Sequence, residues 1–267
     1  MKREIRTGPA RGGSPKKVGL ARALSKLGYC SRSRAAELIA EGRVKWNGTV
    51  RRDPQTPVHL GKDRIEIDGQ RVARSSKIYL ALNKPRGIVT TAADEKGRDT
   101  VYSFLPENLP WVAPVGRLDK ASEGLLLLTN DSEWAARITA PDTHLDKTYH
   151  VQINAISDEK LLQALRTGIR SSEAEFLRVK TISILRYGER NSWLEIVLDE
   201  GKNRHLRRMF EALEIEVLRL VRVRIGPLLL GDLPKGATRS LELEEKLALD
   251  RAMRVPIQLP ASLVRTH

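Results

Sequence analysis

The run Leu125–Leu128, closed by Thr129, is the densest apolar stretch of the chain. Side chains alternate across a β-strand, so four consecutive leucines in a strand demand an apolar layer on each face. The run is also far short of the ~20 residues that a membrane span requires. The segment therefore reads as an interior strand, and the rest of the chain must supply cover on both sides. Further strand-like segments are Ile78–Leu82, Thr148–Ile153, Phe176–Leu185, Trp193–Leu198 and Val217–Ile225. Three helices fall between or beside them. Asp131 or Ser132 caps one that ends before Pro141, and Ser157 caps one carrying Leu161, Leu162 and Leu165. Asn203 caps the third, which carries Leu206, Met209, Phe210 and Leu213. The strands lack the regular crossover rhythm of a doubly wound fold. The expectation is α+β, with a mixed, largely antiparallel sheet flanked by helices.

Charge divides the chain more sharply than hydropathy does. Of 267 residues, 47 are Lys or Arg and 33 are Asp or Glu, a formal net charge of +14. Met1–Ser75 holds 18 basic and 7 acidic residues, a net of +11, and the remainder carries only +3. Such asymmetry points to a dedicated module for a polyanion, with nucleic acid the first choice. Residues 1–17 are Gly-, Pro- and Lys/Arg-rich with little to bury, and read as a flexible basic arm. The single cysteine, Cys30, excludes an internal disulfide and a Cys-rich zinc site. No HExxH, phosphate-loop or GxSxG pattern occurs. Asp94, Glu95 and Asp99 share a loop with Gly97 and Arg98 but lack calcium-loop spacing, so they read as solvated and no metal is expected.

Residues 18–75 form a small unit. Leu20, Leu24 and Leu27 recur at helical spacing before Gly28. Ser31 caps a second helix with Ala35, Leu38 and Ile39 on one side, ended by Gly42. Short strands follow at Val44–Trp46 and Arg64–Ile67, with turns at Asn47-Gly48 and Asp68-Gly69. Candidate RNA-contacting residues are Arg22 and Lys26 on the first helix and Arg32 and Arg34 at the start of the second. Arg43 and Lys45 follow the second helix. The string Leu20–Gly28, with Ser31-Arg32, Ile39, Gly42-Arg-Val and Asn47-Gly48, resembles the S4 RNA-binding domain. That resemblance implies structured RNA, rather than DNA, as the partner.

The chemistry concentrates at Gly116-Arg117-Leu118-Asp119. A carboxylate between two cations, Arg117 and Lys120, stays ionised, as a carboxylate nucleophile must. By themselves these four residues are better read as a surface turn with an ordinary ion pair. The longer stretch from Gly116 to Asp131 resembles the central motif of the pseudouridine synthases of the small-subunit-rRNA type. Asn83–Gly87, Lys147-Thr-Tyr149, Glu200–Met209 and Val223–Gly226 resemble that family's other motifs, in order. The resemblance covers residues 18–244, and a catalytic domain is expected over 76–250, with a tail at 251–267.

The resemblance implies isomerisation of uridine to pseudouridine in RNA, without a cofactor. Asp119 matches the essential aspartate. Attack on the sugar, attack on the base and a glycal intermediate all remain open. Tyr149 matches the tyrosine that stacks on an extruded base and is a candidate to take the C5 proton. Arg207 matches the arginine that pairs with the aspartate. Arg204, Arg207 and Arg208 lie at i, i+3 and i+4 of one helix, which directs Arg204 or Arg208 toward phosphate. Arg117 is a further substrate-binding candidate. Ile225 either floors the uracil pocket or packs in the core. His205 stands where relatives often carry glutamine and is assigned no chemistry. The implied substrate is ribosomal RNA, large subunit favoured over small, free or in an assembly intermediate. The chain is expected to be cytoplasmic and monomeric, without a membrane partner. The competing reading is a non-catalytic S4-domain RNA-binding or ribosome-assembly protein.

Overall fold

The computed structural model describes residues 17–91 and 97–253. The expected basic arm up to Lys16, the acidic pair Asp94 and Glu95, and the tail from residue 254 lie outside the described residues. The chain divides between Ser75 and Ser76 into two compact units.

In the first unit, helices Leu20–Lys26 and Arg32–Ala40 pack on a four-stranded antiparallel sheet. Its strands run Thr49–Val50, Val44–Trp46, Ile65–Ile67 and Gln70–Arg71 in spatial order. Helices of seven and nine residues are too short to persist alone, so burial of one face holds them. Leu20, Leu24, Leu38, Ile39, Val44, Ile65 and Ile67 form that core. Each such side chain contributes about 2 kcal/mol on burial. Ser31 caps the second helix as expected, accepting from the Arg34 amide at 3.1 Å. Asn47 and Gly48 both have positive φ, 48° and 84°, the turn that matches the twist of a two-residue hairpin.

The second unit is built on a mixed nine-stranded sheet. The spatial order is Thr181–Tyr187, Ser192–Leu198, Lys147–Ile153, Val217–Ile225, Glu123–Thr129, Tyr79–Lys84, Thr238–Ser240. Ala113–Val115 pairs with Glu123–Thr129, and Leu228–Leu229 with Val217–Ile225. Every strand pairing here is antiparallel except the one between Val217–Ile225 and Glu123–Thr129, where only Val221 with Glu123 and Arg222 with Gly124 pair. That short parallel seam joins two half-sheets.

All seven residues of Glu123–Thr129 are buried, and the leucine run divides between two cores as its pattern requires. Leu126 and Leu128 join Leu80, Leu82, Val101, Val112 and Leu118. Leu125 and Leu127 join Ala81, Trp134, Ile138, Leu249 and others on the opposite face. In the other half-sheet, helices Glu159–Thr167 and His205–Glu211 cover one face, burying Leu162, Leu165, Leu206, Met209 and Phe210 against Val151, Ile153 and Ile196.

Several local expectations change. Asp158, not Ser157, caps Glu159–Thr167, because its carboxylate accepts from the Leu161 amide at 2.8 Å; the Ser157 amide instead donates to Ser192 Oγ. The residue preceding His205–Glu211 is Arg204, in the left-handed conformation and without a side-chain cap, and Leu213 lies past the helix end. The continuous strand expected over Phe176–Leu185 is two strands, Phe176–Leu177 and Thr181–Tyr187. Sequence reading missed Ala113–Val115, Thr238–Ser240 and the helix Leu243–Ala252, which runs past residue 250. Among the described residues no helix is long and apolar enough to cross a membrane.

Candidate active site

A cleft of about 370 Å³ opens beside the parallel seam. Asp119, Tyr149 and Ile225 line it together, with Arg117, Lys147, Arg204, His205 and Arg222. Asp119 stands on the loop between Ala113–Val115 and Glu123–Thr129, and backbone acceptors hold that loop. Thr90 Oγ1 donates to the Leu118 carbonyl at 2.8 Å and the Gly87 amide to the Lys120 carbonyl at 2.8 Å. Lys84 Nζ donates to the carbonyls of Asp119 at 3.1 Å, Ser122 at 2.8 Å and Pro85 at 3.1 Å. Arg207 Nη2 donates to the Ala121 carbonyl at 3.0 Å. Every carbonyl from Leu118 to Ser122 thus has a partner, so the Asp119 side chain is presented by a fixed backbone.

Lys84 is fully buried. Burial pushes its pKa down to about 8, against the fields of Asp119 and Glu123, which favour its charged form. Glu123, 3% exposed, is held by Lys235 at 2.6 Å and Arg219 at 3.2 Å. Burial alone would raise its pKa, but the two cations overcome that and hold it below the usual carboxylate range.

Tyr149 is half-buried and packs against both the helix-covered core and the Leu80–Leu126 core. Its strand neighbours are Ile196 on one side and Arg222 on the other. Ile225 both lines the cleft and belongs to a core cluster, so the two alternatives for it coexist. A register shift between Thr148 and Tyr149 pairs Thr148 with Arg224 and Tyr149 with Arg222. This bulge lets Arg222 and Ile225, three residues apart, both reach the cleft, where strict alternation would turn one of them away.

Arg204, which precedes the helix, and Arg207 and Arg208 on it have separate surroundings. Arg207 is half-buried and donates to the carbonyls of Ala121 and, at 3.4 Å, Val217. Burial lowers its pKa, as does Arg204, while the Asp119 charge acts in the opposite sense. Its link to Asp119 is therefore the shared loop and the field between them; its hydrogen bonds go to backbone. Arg204 is exposed on the cleft. Arg208 is drawn away from it to Glu175 at 2.8 Å, Glu173 at 2.9 Å and Ser171 Oγ at 2.9 Å. His205 lines the cleft near the Arg178 backbone, and burial lowers its pKa.

In the first unit, Arg22, Arg32 and Lys45 are exposed without an ion pair among the described residues. Lys26 ends the first helix. Arg34 pairs with Glu37 at 2.8 Å, and Arg43 with Asp68 at 3.0 Å and Glu41 at 3.2 Å. Lys84, Glu123, Lys147 and Arg222 were not given roles from sequence. The first three lay within recognised motifs, and Arg222 is one of three arginines, with Arg219 and Arg224, in a strand whose other residues are apolar, so nothing in the sequence singled it out.

A fixed carboxylate beside a tyrosine, over an apolar floor and among cations, defines a cleft suited to a flat polar ring carried on a polyanion. Comparison with known proteins narrows this. A family model for RNA pseudouridylate synthase matches residues 78–212, and a model for the S4 domain matches residues 18–65. The chain is 40% identical over 228 residues to the ribosomal large subunit pseudouridine synthase B of Bacillus subtilis, covering 85% of this chain and 93% of that protein. It is 39% identical over 231 residues to an uncharacterized RNA pseudouridine synthase of Aquifex aeolicus, covering 86% and 92%. A crystal structure of a pseudouridylate synthase matches with a TM-score of 0.60 at 30% identity, over 87% of this chain and 99% of that one. The chain belongs to the RNA pseudouridylate synthase family, with an S4 domain ahead of the catalytic one. It is an isomerase acting on uridine in RNA.

Proposed function

We propose that the chain converts one uridine of large-subunit ribosomal RNA to pseudouridine, with Asp119 as nucleophile. The observation that carries this reading is the convergence of Asp119, Tyr149 and Ile225 on one cleft at the parallel seam. Support for the large subunit comes from the name of the Bacillus subtilis relative. The target uridine leaves its stack and enters the cleft, at a cost of a few kcal/mol that phosphate contacts offset. Exposed Arg117 and Arg204 suit those phosphates. Tyr149 stacks on the base and Ile225 packs against it. The Asp119 carboxylate drives cleavage of the N1–C1′ bond; the uracil turns, and C5 bonds to C1′. One proton leaves C5, to Tyr149 in this reading, and one is taken up at N1. The product has the composition of the substrate, so the reaction balances without a co-reactant. Arg207 keeps the Asp119 loop in place.

The test is to map pseudouridine across ribosomal RNA with a uridine-selective carbodiimide and primer extension, in cells with and without the gene. The expected result is one large-subunit stop that disappears with the gene. An unchanged pattern would overturn the reading.

A further inference from the structure

The cations of the cleft fall into two groups. Five line it, Arg117, Lys147, Lys202, Arg204 and Arg222, against two carboxylates, Asp119 and Glu200. Lys202 is bound to Glu200 at 2.8 Å. Arg117 and Arg204 are exposed, where a backbone phosphate can reach them. Lys147 and Arg222 lie deeper: Lys147 is half-buried, and Arg222 is only 6% exposed. Phosphates do not enter a base-sized pocket, so the deeper pair needs another explanation.

Arg222 is held at one end only. Its Nε donates to the Leu125 carbonyl at 2.7 Å, which fixes the guanidinium plane, while Nη2 is buried without a partner among the described residues. A buried charged donor left unmade is costly and calls for an acceptor in the working state. Lys147 and Tyr149 are two apart on one strand and so share a face, and Tyr149 is directly opposite Arg222. A ring stacked on Tyr149 therefore has Arg222 and Lys147 at its edge. Burial, and then the charge of Arg222, lowers the pKa of Lys147, while the fields of Asp146 and Asp199 act in the opposite sense.

Resting on the pseudouridine synthase reading, we propose that Arg222, with Lys147 beside it, contacts the uracil carbonyl oxygens and stabilises the anion formed when the glycosidic bond breaks. As N1–C1′ breaks, its electron pair leaves with the uracil and spreads over N1, O2 and O4. The positive C1′ is taken by the Asp119 carboxylate or relieved by proton loss from C2′, and either route leaves the same uracil anion. A charge-assisted donor in a desolvated pocket acts on that charge more strongly in the transition state than in bound uridine. The same contact holds the free base while it turns to present C5.

The test uses the full chain in single-turnover reactions with a large-subunit rRNA transcript, monitoring loss of the N-glycoside. A second transcript carries 5-fluorouridine, whose fluorine stabilises the departing anion. Arg222→Gln is expected to slow uridine turnover about 100-fold, as for removal of one oxyanion donor, with RNA Kd changed less than about threefold. The defect should shrink at least tenfold on the fluorinated RNA, and Arg222→Lys should recover part of the rate. Lys147→Met, whose side chain has no hydrogen bond to lose among the described residues, should show the same pattern more weakly and guards against a folding defect in Arg222→Gln. Equal defects on both RNAs, or a Kd loss that accounts for the rate, would overturn the proposal. Wild-type rates in both variants would overturn it alone. No turnover by the unchanged protein would overturn the reading beneath it.

Discussion

Asp119 is positioned by what its backbone accepts, and Lys84 is the group that accepts least compromise. Its ammonium sits fully buried among three carbonyls, two of them in the Asp119 loop. Its pKa in the folded chain is about 8, below the 10.5 of free lysine. The unfolded chain therefore binds more protons between these values, and stability from this group rises as pH goes from about 8 toward 10.5 and is lost as pH falls back. Urea unfolding across that range should show wild type gaining on Lys84→Met as pH rises; parallel curves would contradict this. Lys84→Met should also lower kcat with little change in KM, because the loop that presents Asp119 loosens. Residues of this kind were not legible in the sequence. Asp119 could be read because a motif surrounds it, whereas the duties of Lys84 and Arg222 depend on carbonyls 35 and 97 positions away. Arg208 shows the converse: helical spacing suggested a phosphate contact, and carboxylates of a distant hairpin bind it.

At the scale of elements, the parallel seam organises the site. Gly124 has φ +99°, and a Cβ there would collide with the Arg222 backbone. Gly124→Ala should cost about 3 kcal/mol or more, since strain and clash add at a residue that cannot move. A lowered urea midpoint checks this, and a change under 0.5 kcal/mol, the ~0.5 expected of surface sites, would contradict it. The leucine run was legible because burial on two faces writes itself into composition. The bulge at Val223 was not, since it obeys a partner strand. The helix Leu243–Ala252 escaped notice because Leu249 is its only fully buried residue, and a capping box of Glu242 and Glu245 holds its start. The Asn203 cap failed for a different reason: the chain enters that helix through a left-handed Arg204, which no propensity favours.

For the whole molecule, the lopsided charge separates holding RNA from changing it. The second unit carries few excess charges, and among its interior arginines Arg207 is committed to backbone carbonyls and Arg208 to Glu173 and Glu175. The first unit carries the surplus, but ion pairs with Glu37, Glu41 and Asp68 occupy Arg34 and Arg43. Arg22, Arg32 and Lys45 are exposed without an ion pair among the described residues, and in the proposed reading they meet phosphate. Each phosphate contact contributes roughly 0.7–0.9 to the slope of log K against log salt. Neutralising all three to Gln should therefore flatten the slope by about 2 without lowering the melting temperature. An unchanged slope would remove the module from RNA docking. Sequence alone located the module but could not sort its cations, because Asp68 returns to Arg43 from 25 residues along the chain.

In the proposed reading Asp119 performs the isomerisation. Purified wild-type chain and Asp119→Asn are incubated with a large-subunit rRNA transcript and mapped by carbodiimide primer extension. One stop is expected with wild type and none with Asp119→Asn, at nearly equal RNA affinity. The same stop produced by Asp119→Asn would contradict it.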